Sequence, residues 1–156
     1  MAGFTEQIDI DGEPGAVFTW ATDPDHASIW LDIIRMEPRD EKPMAKGSVY
    51  RETRRMGKRE VSADITITEH IGPGQRAHPP YEHAGSSAAM GVEATYRYTF
   101  SASPAGGTRV DLVCEVVPRS FLGRFMAGPL VKIMKKMDAG QLSRLKVAYE
   151  EAHAGA

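Results

Sequence analysis

Polar and apolar residues alternate with a period of two through the middle of the chain and with a period of three to four near its end. These two rhythms predict most of the architecture. The cleanest stretch is Val61, Ala63, Ile65 and Ile67, interleaved with Ser62, Asp64, Thr66 and Thr68, which describes a strand with one dry and one wet face. Ser48 to Arg55 precedes it across Met56-Gly57-Lys58, so the two segments predict a hairpin. Tyr96, Tyr98 and Phe100 alternate with Thr95, Arg97 and Thr99. Beyond the Ala105-Gly106-Gly107 turn, Val110, Leu112, Cys114 and Val116 alternate with Arg109, Asp111, Val113 and Glu115, which predicts a second hairpin. The sheet is therefore expected to be mostly antiparallel.

The flanks carry the other period. Phe4, Ile8 and Ile10 suggest a short opening strand ended by Asp11-Gly12. Pro14 is suited to a first helical position, and Val17, Phe18, Trp20 and Ala21 place an apolar face on a short helix that Asp23-Pro24 stops. A second short helical piece, Asp25 to Leu31, is expected to turn Ile29 and Trp30 to the same interior, with Asp23 or Asp25 as its cap. At the other end Leu130, Ile133, Met134, Met137, Gln141, Leu142, Leu145 and Tyr149 follow helical steps, with Lys132, Lys135, Lys136, Arg144 and Lys146 on other faces. Gly128-Pro129 is expected to kink this long helix or to separate a lead-in turn at 121–126. Gly140 lies inside it and predicts a close approach by a neighbour.

A strand, two short helices, a run of antiparallel strands and one long C-terminal helix make an α+β fold. A twisted antiparallel sheet can curl around the long helix. Where the helix leaves the concave face uncovered, large side chains must fill the space or a cavity remains.

Composition narrows the function classes. The 156 residues, 42% hydrophobic and 26% charged, suit one globular domain covering 1–156. Nineteen basic against twenty-one acidic residues, a net charge of −2, leave no electrostatic footprint for nucleic acid. The single cysteine, Cys114, excludes an internal disulfide and reads as a buried small hydrophobe. The N-terminal residues carry Glu6, Asp9 and Asp11 instead of a basic, apolar leader, and no apolar run is long enough for a membrane span. The expectation is a cytoplasmic protein, monomer or homodimer, without nucleic-acid or membrane partners.

Several segments together carry a family resemblance. They are Ala16-Val17-Phe18 through Asp23-Pro24 to Trp30, Gly47-Ser48-Val49-Tyr50, Thr66-Ile67-Thr68-Glu69 before a Gly/Pro turn, Gly107-Thr108-Arg109-Val110, and Leu145-Lys146. In order and spacing the chain resembles the START-related helix-grip superfamily, which groups polyketide cyclase/dehydratases with lipid carriers and plant pollen-allergen-type proteins. The resemblance implies a curved antiparallel sheet wrapped around a long C-terminal helix, two short helices after strand 1, and a hydrophobic ligand cavity. It does not choose among carriage, sensing and catalysis.

Candidate chemistry falls into three groups. In His78-Pro79-Pro80-Tyr81-Glu82-His83 the prolines push the chain to an edge or loop, where His78, Tyr81 and His83 could do acid/base work at a cavity mouth or simply face solvent. His78, Glu82 and His83 lack a recognised metal-ligand spacing, so no metal and no cofactor are expected. In the basic run Arg51, Arg54, Arg55, Lys58 and Arg59, a strand would point Arg54 opposite to Arg51 and Arg55. One inward arginine, Arg51 or Arg54, could then polarise a carbonyl, stabilise an enolate or bind a carboxylate. Trp20, Trp30, Tyr50, Tyr96, Tyr98, Met126, Leu130, Met134 and Met137 are the expected cavity lining, or else an ordinary filled core. Three functions follow: binding of a small hydrophobic molecule, a polyketide cyclase/dehydratase-type enzyme, or a protein-interaction or co-chaperone module.

Overall fold

The computed structural model describes residues 2–155. Its seven strands are β1 (Ala2–Ile10), β2 (Arg35–Pro38), β3 (Val49–Met56), β4 (Arg59–Ile71), β5 (Tyr81–Ala89), β6 (Val92–Ala102) and β7 (Thr108–Pro118). They form one sheet in the order β1-β7-β6-β5-β4-β3-β2, with every neighbouring pair antiparallel. The helices are α1 (Pro14–Thr22), α2 (Ala27–Trp30), α3 (Phe121–Met137) and α4 (Gln141–Ala152), with a 3-10 turn at Pro24–His26 ahead of α2. The architecture is the helix-grip fold, a curved sheet closed on one side by its C-terminal helices.

Alternation decides what the sheet buries. On β7, Thr108, Val110, Leu112, Cys114 and Val116 are all at most 1% exposed, because β7 lies between β1 and β6 with α3 packed on it and α4 on the neighbouring β1. Each fully buried valine or leucine there contributes about 1.5–3 kcal/mol. Helix α4 adds Leu142, Leu145 and Tyr149 to this core, and α1 adds Val17, Phe18 and Ala21. Pro14 does open α1, and Asp23 caps the following turn by accepting from the Asp25 backbone N–H at 2.9 Å. Trp30 is buried, but Ile29, expected beside it, is exposed. A helix of four residues has room for one inward face, and Trp30 with Ala27 occupies it.

Three local expectations change. The Pro-rich loop ends at Pro80, and Tyr81–Ala89 is an inner strand of the sheet, since the prolines precede the ladder and cost it nothing. The C-terminal helix is two helices. Pro129 sits inside α3, and residues 121–126 are already helical, so Gly128-Pro129 separates nothing. The break falls at Asp138-Ala139-Gly140, where Gly140 adopts φ +81°. Gly140 is thus required by backbone conformation and not by a neighbour, as a Cβ there would meet only the Arg144 guanidinium at 3.6 Å. The close approach lies elsewhere, where Gly123 of α3 packs on the backbone of Gly91 in the β5–β6 turn. The short edge strand β2 was not anticipated; its four residues are too few to show a period. No helix among the described residues is long and apolar enough to cross a membrane.

Candidate functional site

Between the concave face of the sheet and α3 lies a cavity of about 310 Å³. The pleat explains its walls. Glu52 and Arg54 of β3 pair with Ala63 and Val61 of β4, so all four share the inward face. Ile65 and Ile67 continue that face along β4, His83, Gly85 and Ser87 along β5, and Ala94, Tyr96 and Tyr98 along β6. Leu130, Ile133, Met134 and Met137 close it from α3. Gly85 keeps the floor open, because a Cβ there would lie 2.9 Å from the Ile65 side chain. A smaller hollow of about 60 Å³ under α2 shares Leu31, Met36, His83 and Tyr98 with the main one.

One end of the cavity is polar. The helix break brings Asp138 inward, where it is 3% exposed. Its carboxylate accepts hydrogen bonds from the Tyr96 hydroxyl and, at 3.2 Å, from Arg54 Nη1. Arg54 Nε donates to Glu52 Oε1 at 2.5 Å. Burial alone would lower the Arg54 pKa, but Glu52 and Asp138 outweigh it and hold the guanidinium charged. Burial, reinforced by Asp138, pushes both Tyr96 and Tyr98 above the usual phenol range. Tyr98 donates to Gln141 Oε1 at 2.7 Å, leaving Gln141 Nε2 without a partner; Trp30 Nε1 is likewise unpaired.

Beside Tyr98, its cross-strand partner on β6, His83 places Nδ1 3.2 Å from His70 Nδ1, a cross-strand pair of the β4–β5 ladder. One ring must donate and the other accept, so this contact needs at least one neutral imidazole. Burial, with a smaller contribution from His70, pulls the His83 pKa down to about 3, and burial lowers that of His70. Burial pushes the Cys114 thiol up to about 11, so it stays protonated and behaves as a packed hydrophobe.

The expected site residues divide. Arg54, His83, Tyr96, Tyr98, Leu130, Met134 and Met137 line the main cavity. Arg51 is exposed on the opposite face of β3, as the alternation requires, and pairs in register with Asp64. His78 is exposed in the loop before β5. Tyr81 is buried against Phe18, with ring centroids 5.9 Å apart, away from the cavity. Trp20 stacks on His26 and meets Tyr149 edge-on, which is outer packing of α1. Tyr50 is buried beyond the cavity's edge, Met126 packs on the core, and Trp30 lines only the smaller hollow. The loop and strand separate His78 from His83, and Glu82 faces Arg76 at 3.4 Å. Among the described residues no three His, Cys, Asp or Glu side chains converge as metal ligands.

Glu52, Asp138 and Gln141 were not anticipated. Glu52 had a readable signal, since it lies two residues from Arg54 on one strand and must share its face. Asp138 had a weaker one, as Asp-Ala-Gly after a lysine-rich turn marks a helix end. For Gln141 the helical steps gave the inward face, and only its polar role there was missed.

No curated protein matches the chain. Among solved structures, the Zhui aromatase/cyclase from Streptomyces sp. R1128 is similar with TM-score 0.71 and 13% identity, over 99% of this chain and 98% of that one. The di-domain aromatase/cyclase StfQ from the steffimycin biosynthetic pathway gives 0.70 and 10% over 99% of this chain. This chain spans about half of StfQ, 52% of its length. Ara h 8.0201 gives 0.67 and 14%, over 97% and 99% of the two chains. At these identities the likeness shows the fold alone. Residues 1–150 match a family as well, and on that match the chain belongs to the polyketide cyclase/dehydrase and lipid transport family.

Proposed function

We propose that the protein binds a small, largely apolar molecule in the cavity between the sheet and α3, with the molecule's polar end at Arg54. The observation that carries this reading is the form of the cavity. Its volume of about 310 Å³ lies at the lower end of the range of roughly 300–1,000 Å³ found for small-molecule sites. Isoleucine, valine, leucine, methionine and alanine side chains together make most of the wall, and polar groups converge at one end, an arrangement that fixes orientation as well as affinity. A domain serving only to hold another protein has no need of such an interior.

A cyclase-type reaction in the same cavity is the second reading, and Arg54 is the observation that favours it. Among the described residues it is the only Lys or Arg on the cavity wall, and it can polarise a carbonyl or stabilise an enolate. Proton transfer is less well served. An imidazole with its pKa near 3 is a weak base, and phenols raised above their usual range are weak acids. The set thus supports binding and polarisation over acid/base turnover.

The test uses Prodan, an uncharged naphthyl ketone dye whose emission shifts to the blue in apolar surroundings. The wild-type protein should bind it saturably, one per chain. Ala63→Trp, which fills the mouth of the cavity from an exposed position on β4, should abolish the shift while leaving the circular dichroism spectrum unchanged. Equal Prodan binding by wild type and Ala63→Trp would remove the cavity from the account. Native mass spectrometry of protein from its own host, showing a co-purified compound, would then name the ligand.

A further inference from the structure

The charges around the cavity restrict its ligand further, in an inference that rests on the binding function proposed above. Among the described residues three formally charged side chains line the cavity, Glu52, Asp138 and Arg54, and they sum to −1. His83, the other titratable nitrogen on the wall, is held neutral by burial. Lys135 and Arg144 lie near Asp138 but are exposed, so water and salt screen them, and Arg144 is occupied by the Trp30 and Ala139 carbonyls. Glu6, half-buried on the same side, adds another acid.

The arginine is also committed. Its Nε donates to Glu52 and its Nη1 to Asp138, so it is not a free fork for an incoming carboxylate. A carboxylate placed beside it would sit next to two others, and like charges in a poorly hydrated site repel strongly. A neutral oxygen meets no such barrier. The guanidinium has five N–H groups, of which two are used, so donors remain for an acceptor atom. The Tyr96 and Tyr98 hydroxyl protons are spent on Asp138 and Gln141, so the donors left at this end are the remaining N–H groups of Arg54 and the unpartnered Nε2 of Gln141, both suited to a neutral acceptor.

We propose that the cavity selects uncharged ligands whose polar end is a hydrogen-bond-accepting oxygen, such as a ketone, and rejects carboxylates of the same shape, with Glu52 and Asp138 setting that choice. A free fatty acid or aromatic acid is thereby a poor ligand, and its uncharged carbonyl counterpart a good one.

Two probes with one ring system separate the cases. Acetylnaphthalene and naphthoate differ in shape by little and in charge by one. Calorimetric titration of the whole chain at about pH 8 should give the ketone at least about tenfold the affinity of the acid. Glu52→Gln and Asp138→Asn each remove one negative charge, and each should narrow that ratio severalfold by strengthening naphthoate. Two substitutions on different elements keep the test open should either fail to fold. Naphthoate binding as tightly as the ketone to wild type, or a ratio unmoved in both folded variants, would overturn the selectivity and leave the cavity reading standing. If neither probe binds, the cavity reading falls and the selectivity with it.

Discussion

Acid should destabilise this protein through one identifiable pair of side chains. His83 faces the cavity in contact with His70, and burial holds its pKa at about 3 against an ordinary 6.5. In the unfolded chain the imidazole takes up a proton as pH falls through 6.5; in the folded chain it does not until far lower. Between those values the unfolded state binds more protons, so stability rises with pH and is lost on acidification. At about pH 8 neither state is protonated and the penalty is nil. At about pH 5 the unfolded imidazole is nearly all charged and the folded one still neutral, which costs about 2 kcal/mol. The figure at pH 5 depends mainly on the unfolded value, provided the folded pKa stays well below 5. Urea unfolding curves for wild type and His83→Gln at the two pH values isolate it, because other acid-sensitive groups cancel in the comparison. With a slope of about 1–3 kcal/mol per molar urea, the wild-type midpoint should fall relative to the variant by on the order of 1 M. A wild-type-to-variant difference equal at both pH values would refute a buried neutral histidine pair.

Arg54→Leu should destabilise through lost charge pairing. It strands Glu52 and Asp138 without their cation, costing roughly 3–5 kcal/mol in chemical denaturation near neutral pH. Tyr96→Phe removes one hydrogen bond to the Asp138 carboxylate and should cost about 1.5–3 kcal/mol by thermal or urea unfolding. Two glycines of α3 should respond with opposite signs. Gly123→Ala drives a Cβ into the Gly91 carbonyl and should destabilise by about 1–3 kcal/mol. Gly128→Ala meets nothing within 4 Å and should stabilise by about 0.5–1 kcal/mol. The pair of urea curves checks that contrast.

What the chain disclosed beforehand follows from what periodicity measures. Alternation on β4 and β7 reports that one face avoids water, and both strands lie where the pattern put them. It does not report what the dry face touches. On β7 it packs against helices and is fully buried, whereas on β4 Val61 and Ala63 face the cavity mouth and remain exposed. Strand β5 showed no rhythm because its inward positions include Gly85, Ser87 and Ala89, small residues in the wall of a hollow. The same smallness that hides the strand from a hydrophobicity pattern creates the space. A strand that looks like a loop, at a place where the sheet needs a strand, was therefore itself a sign of the cavity.

The polar end was harder to foresee because its members come from distant parts of the chain. Helical spacing puts Asp138 on the apolar stripe, four residues after Met134 and seven before Leu145, but it does not show that Tyr96 and Arg54, 42 and 84 residues distant in the chain, meet it there. Three elements, β3, β6 and the α3–α4 junction, must be in place before these groups meet, and no local pattern contains that information. The cost of burying them points to their role. A buried ion pair is often no more stabilising than packed hydrophobes of similar volume. Methionine and leucine at these positions would complete the apolar lining. A charged cluster kept at one end of an otherwise oily cavity, with N–H groups of Arg54 unspent, is better explained by what it offers a ligand than by what it adds to the fold.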